Sequence, residues 1–242
     1  MISERPGSAD RSLRESARCP RSGAVGALSV LAFITVVAAP LAAQAPTDAV
    51  PGSPVDTTGI ALTPRLHTLF EVTIFQVDVL TLEVRFGRQT ASRLAALADG
   101  ADDPDAIADS VLALALDADD AWARMEFQRD FGFDRFQDGM TSSIRAAVKA
   151  GIVTPATGDS IAGSIPEWYD FLLERGVRDG DEIFYRVRGD TLRTVFRGVD
   201  GRVLLDQVNV GPDRGRGLLG GWFAPESDFR EGLVKSLVED SR

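Results

Sequence analysis

The sequence predicts an α+β fold built on an antiparallel β-sheet, and three stretches carry that expectation. Thr63 to Arg85 (TPRLHTLFEVTIFQVDVLTLEVR) places apolar residues close to every second position from Leu66 onward. That is the period of one or two strands with a buried face. From Phe133 to Glu174 the apolar spacing changes to three and four, the period of helices with one inward stripe. From Asp181 the chain returns to short alternating runs, separated by Gly189-Asp190 and Asp200-Gly201. Such pairs close β-hairpins, so this block reads as an antiparallel meander.

The front of the 242-residue chain reads differently. Arg5, Arg11, Arg14, Arg18 and Arg21 precede an uncharged apolar run, Gly23 to Ala39, which Pro40 and the small residues Ala43 and Ala45 follow. A basic segment, a short apolar core and an A-x-A site predict a secretory signal peptide over residues 1–45, with export to the periplasm or beyond. The apolar run is at the lower limit for spanning a bilayer, so no stable membrane span is expected after cleavage. The only cysteine, Cys19, precedes the apolar core, where it cannot accept a lipid anchor, and the cleaved chain has none to form disulfides. Cleavage would remove five arginines and three acidic residues, taking the net charge from −10 to −12. An acidic surface of that size repels nucleic acid and anionic headgroups, so neither is an expected partner.

Residues 46–62, rich in Pro, Thr, Asp and Gly, are expected to form a flexible linker ahead of a domain spanning 63–242. Leu66 to Phe86 supplies the first strands. Thr90 can cap a short helix over Ala91–Ala98, and Asp103-Pro104 can open a second, Asp105–Leu116, with Ile107, Val111, Leu112 and Ala115 on one face. Trp122 to Arg129 alternates as a strand. A helix over Phe133–Ala150 follows, then a helical region over Pro155–Glu174 that Pro166 is expected to break. Three strands, Asp181–Arg188, Thr191–Arg197 and Arg202–Asp206, precede two helices, Pro212–Phe223 and Ser227–Val238.

The chemistry-bearing residues are sparse. His67 is the only histidine, and a general base needs a positioned partner that the sequence does not show. One histidine and no cysteine in the mature chain leave no zinc ligand set, and no metal site is expected. The acidic turns Asp99–Asp105 and Asp117–Asp120 lack the glycine and terminal glutamate of a calcium loop, and helix capping explains them. Gly215, Gly217 and Gly220 match G-x-G-x-x-G, but no βαβ unit follows, so no nucleotide cofactor is implied. Trp168 and Trp222 are expected in the core or lining a cleft. No Ser lies in a G-x-S-x-G context.

Five segments in order resemble the bacterial chalcone isomerase-like family. They are RLHTLFEVTIF (Arg65–Phe75), FQRDFGFDRFQDGM (Phe127–Met140), GVRDGDEIFYRV (Gly176–Val187), DGRVLLDQVNVG (Asp200–Gly211) and GLLGGWFAPES (Gly217–Ser227). The resemblance implies an open-faced sandwich, with helices packed on one face of the sheet and a ligand cleft between the layers. Some members of that superfamily isomerise chalcones, and others bind fatty acids. Carried over by position, the resemblance implies a ligand site at Arg65, Thr73, Phe133 and Met140. The catalytic members have a Tyr near the place of Phe133 and an Asn near that of Met140. Phe and Met cannot hold a water or an oxyanion, so the expected function is binding of a small amphipathic ligand, such as a fatty acid or a phenolic compound. Its head would lie near Arg65. The alternatives are a chalcone isomerase-type intramolecular lyase and an envelope interaction module with a filled core and no cleft.

Overall fold

A computed structural model describes residues 50–72 and 77–241. The alternating stretches form a six-stranded sheet: β1 (Leu66–Val72), β2 (Val77–Phe86), β3 (Asp120–Phe127), β4 (Glu182–Arg188), β5 (Thr191–Arg197) and β6 (Val203–Val210). The strands lie side by side in chain order and every neighbouring pair is antiparallel. Helices α1 (Arg88–Ala98) and α2 (Pro104–Leu116) connect β2 to β3. Helices α3 (Phe133–Lys149), α4 (Pro155–Trp168) and α5 (Leu172–Arg175) connect β3 to β4, and α6 (Pro212–Phe223) and α7 (Arg230–Glu239) follow β6.

Alternation along β3 divides the molecule into layers. Ala121, Ala123, Met125 and Phe127 enter the main core with Leu94 of α1, Val111 of α2, Phe136 of α3, Leu219 of α6 and Leu233 of α7. The helices therefore cover one face of the sheet, as the expected open-faced sandwich requires. Trp122, Phe184 and Val195 point the other way and form a second, smaller cluster.

That second cluster corrects one expectation. The segment from Val50 to Ile60 is a strap across the outer face and not a loose linker. Val50, Val55 and Ile60 are buried against Trp122, Phe184 and Val195. Trp122 Nε1 donates to Ser53 Oγ at 3.0 Å, and Arg197 Nη1 donates to the Gly52 carbonyl at 2.9 Å. The buried Arg186 guanidinium donates to the carbonyls of Asp56 (2.8 Å) and Thr58 (3.1 Å) and ion-pairs with Asp120. The strap exists because the outer face carries large apolar side chains that water would otherwise meet. Beyond it the same face is laced by charge. Glu182, 8% exposed, accepts from Arg124 and Arg197 at 2.7 Å each, and Arg193 grips Asp206 through two bonds.

Local signals set most element ends. Asp103 caps α2 with Pro104 in the first turn, as expected, and Thr154 with Pro155 does the same for α4. Helix α1 starts earlier than expected, at Arg88, and Thr90 lies buried within its first turn. Helix α4 runs through Pro166 and ends at Trp168. Pro166 falls in the last turn, where its missing N–H costs one hydrogen bond and the helix is ending anyway. Asp181 opens β4 with no exposed surface, held by two bonds from Arg175 (2.7 and 3.0 Å) and by the amides of Arg178 and Val199.

Candidate ligand cavity

The glycines of α6 set the spacing of the layers. A Cβ on Gly215 would meet Val187 Cγ1 of β4 at 2.6 Å, and one on Gly220 would meet Ile152 Cγ2 at 2.9 Å. Gly221 lies against Ser143 of α3 in the same way, with the Ser143 carbonyl at 3.1 Å. The glycine pattern thus marks a helix seated tightly on its neighbours. On α4, Gly158 lets the helix close on Val148 of α3. With α3, α4 and α6 braced against one another, a gap remains between them and the middle of the sheet.

That gap is a cavity of about 380 Å³. Its floor is the inner sheet face, with Met125 and Phe127 of β3, Tyr185 of β4, Thr194 of β5 and Asn209 of β6. Its roof is Phe136, Met140 and Ile144 of α3, Ile161 and Trp168 of α4, and Leu218 and Trp222 of α6. Cavities of this size lie within the range of small-molecule sites, which are mostly apolar with a few placed polar groups.

The placed polar groups are few. Arg214, in the first turn of α6, lines the cavity and is half-buried. Its side chain has no hydrogen bond or ion pair among the described residues, whereas Arg124, Arg175, Arg186 and Arg197 all face carboxylates. Arg135, Asp138 and Asp228 also line the cavity but stand exposed, where water solvates them. The chain's two tyrosines, Tyr169 and Tyr185, both line it and are 3% and 2% exposed. Burial pushes both phenols above the ordinary value of 10.0. The Tyr169 phenol is near enough to raise Tyr185 further, but the Tyr185 hydroxyl has no partner at hydrogen-bond distance and angle.

The sequence-derived site residues are not brought together. Met140 lines the cavity. Phe133 is buried beside it, its ring 6.5 Å from that of Phe136, but is not part of the lining. Arg65 is exposed in an open surface groove with Pro64 and Asp240, so the expected head group position at Arg65 is corrected. It stands just before β1, whose inner face is taken up by packing against α7. Thr73 lies outside the described residues. His67 also lies in the β1–α7 contact, its Nδ1 3.9 Å from Asp240, too far for a hydrogen bond. Trp168 and Trp222, expected in the core or a cleft, line the cavity. Among the described residues no group of three or more His, Cys, Asp or Glu converges in a metal-binding arrangement, and no helix is long and apolar enough to cross a membrane.

Sequence reasoning missed Tyr169, Tyr185 and Arg214. A signal existed for Tyr185, which shares the inward face of β4 with Ile183 and Val187 and is the polar-tipped member of that row. For Arg214 the signal was weak, since it shares the first turns of a glycine-rich helix with Asp213 and Arg216.

No protein-family model matches this chain, and no curated protein matches it. A solved structure does. The crystal structure of an Arabidopsis thaliana fatty-acid binding protein, AtFAP1, aligns with a TM-score of 0.52. The match covers 73% of this chain and 86% of that one, at 12% sequence identity. The fold is chalcone isomerase-like. At that identity the likeness concerns the fold, and the ligand must be argued from the cavity of this chain. In this chalcone isomerase-like fold the cavity lies between sheet and helices, the two layers that the sequence resemblance led one to expect around a cleft.

Proposed function

We propose that this protein binds a small amphipathic ligand, a fatty acid or a related apolar carboxylate, with its tail in the cavity and its carboxylate at Arg214. The observation that carries this is an apolar cavity with a half-buried guanidinium in its wall that has no partner among the described residues. A planar guanidinium fork matches a carboxylate in two-point fashion. Each methylene taken from water contributes about 0.8 kcal/mol, so a modest acyl chain gives useful affinity. The fatty-acid binding protein of the same fold supports the reading by analogy.

The test is calorimetric titration with dodecanoate and 1-dodecanol. Dodecanoate is expected to bind the wild type, and Arg214→Ala is expected to weaken it by about tenfold or more, the scale of a lost charge-assisted hydrogen bond. Dodecanol affinity is expected to be insensitive to the substitution. No binding of either probe, or equal dodecanoate affinity in Arg214→Ala, would sink the reading.

The isomerase alternative gains nothing from the sequence-derived residues, because Phe133 and Met140 present no polar group and Arg65 lies outside the cavity. The interaction-module alternative predicts a filled interior, against which the cavity counts. The leader in residues 1–45 supports export as part of the proposal. N-terminal sequencing of protein from a periplasmic fraction, beginning near Ala45, is the result that would uphold it.

A further inference from the structure

Tyr185 projects from the fourth strand of a six-stranded sheet, with its ring edge-on to Trp222 at 5.5 Å. Met125, Phe127 and Trp222 of the lining offer no strong acceptor, and Thr194, its partner across to β5, makes no hydrogen bond to it. The Tyr185 hydroxyl is buried and unpartnered. A phenylalanine at this place would fill the same space without removing a donor from water, so the hydroxyl is a standing cost unless something accepts from it. The Tyr169 phenol stands beside it, at the C-terminal end of α4, its ring 4.8 Å from Phe136. Both hydroxyls are phenols, protonated donors through the neutral range, and burial extends that range upward.

The position relative to Arg214 is also informative. Gly215, next to Arg214, packs on Val187 of β4. Tyr185 lies two residues from Val187 on the same face of that strand, which is about 7 Å along it. Arg214 and Tyr185 thus come to the cavity from different elements, α6 and β4, at separate points of its wall.

The geometry points to Tyr185, with Tyr169 as a second donor, as the recognition point for an oxygen acceptor carried within the apolar part of the ligand. The ligand class is then an oxygenated acyl compound, an oxo or hydroxy fatty acid, in preference to a plain saturated chain. This rests on the binding reading above, with the carboxylate at Arg214.

The experiment compares dodecanoate with a set of mid-chain oxododecanoates by calorimetry, on the wild type and Tyr185→Phe. At least one oxo isomer is expected to bind the wild type about tenfold more tightly than dodecanoate. Tyr185→Phe is expected to lose that preference while binding dodecanoate as well as before or better. The infrared carbonyl band of the bound, isotope-labelled ketone is expected at lower frequency in the wild type than in Tyr185→Phe, a readout that a change in stability does not produce. Thermal unfolding of the variant is expected at the same temperature or higher, since it removes an unpartnered hydroxyl. The inference is overturned if no oxo isomer is preferred, if the preference survives in Tyr185→Phe, or if that variant loses dodecanoate affinity to the same degree. In those cases dodecanoate binding that depends on Arg214 leaves the binding reading standing. If the wild type binds no probe at all, both fall together.

Discussion

Among the described residues Arg214 is a cation without a counter-charge, in a protein whose acidic residues outnumber its basic ones by 36 to 26. Arg124, Arg175, Arg186 and Arg197 are all matched to carboxylates, so the mismatch at the cavity wall is local. The paired phenols give the same locality a pH signature. The unfolded chain releases their protons near the ordinary value of 10.0, whereas the native chain keeps them. The native state therefore binds more protons above that value, and stability must fall as pH rises. Urea unfolding of the wild type is expected to be flat in this respect to about pH 9 and to lose stability above about pH 10. Tyr169→Phe is expected to reduce that alkaline slope by about 1.4 kcal/mol per pH unit, one proton's worth. An unchanged slope would mean that Tyr169 ionises freely in the native state.

At the scale of elements, glycine decides how closely helices approach. Gly163 lies inside α4 with open space where a Cβ would go, whereas Gly215 of α6 faces Val187. Gly163→Ala is expected to stabilise the protein by about 0.5–1 kcal/mol through helix propensity. Gly215→Ala is expected to destabilise it by about 1–3 kcal/mol, because a β-branched side chain on an inner strand has little freedom to yield. Denaturant midpoints of the two variants, moving in opposite directions, check this. The same contrast explains what the sequence disclosed. Periodicity reports which face of an element is apolar, and so α3, α6 and the β4–β5 hairpin were legible to within a residue or two. It does not report what the apolar face meets. Gly215, Gly217 and Gly220 were visible as a pattern, but only their neighbours reveal the pattern as close packing.

At the scale of the whole molecule, the cavity depends on the helices covering one face, and the strap lets the other face survive in water. Val50, Val55 and Ile60 were hidden within a segment whose Pro, Gly and Asp content resembles a linker. Their partners, Trp122, Phe184 and Val195, come from three strands, and no local reading joins residues so far apart. The site was hidden for the same reason, since Tyr169 follows α4 while Tyr185 and Arg214 come from β4 and α6. A chain beginning at Leu62 would expose that cluster and leave Arg186 without the Asp56 and Thr58 carbonyls. It is expected to lose at least about 3 kcal/mol, from two bonds to a buried charge before any apolar exposure is counted. Urea unfolding of the shortened chain checks this, and equal stability would show the strap to be dispensable.

The strap also imposes an order in time. Ribosomes make the chain from its N-terminus, so Val50 to Ile60 emerges before any strand it will cover. Its contact with Trp122 spans 69 positions, and its contact with Arg186 spans 130. The earliest of the described segments to be synthesised is among the last to find its place, and until β4 and β5 have been made the surface its valines close upon is incomplete.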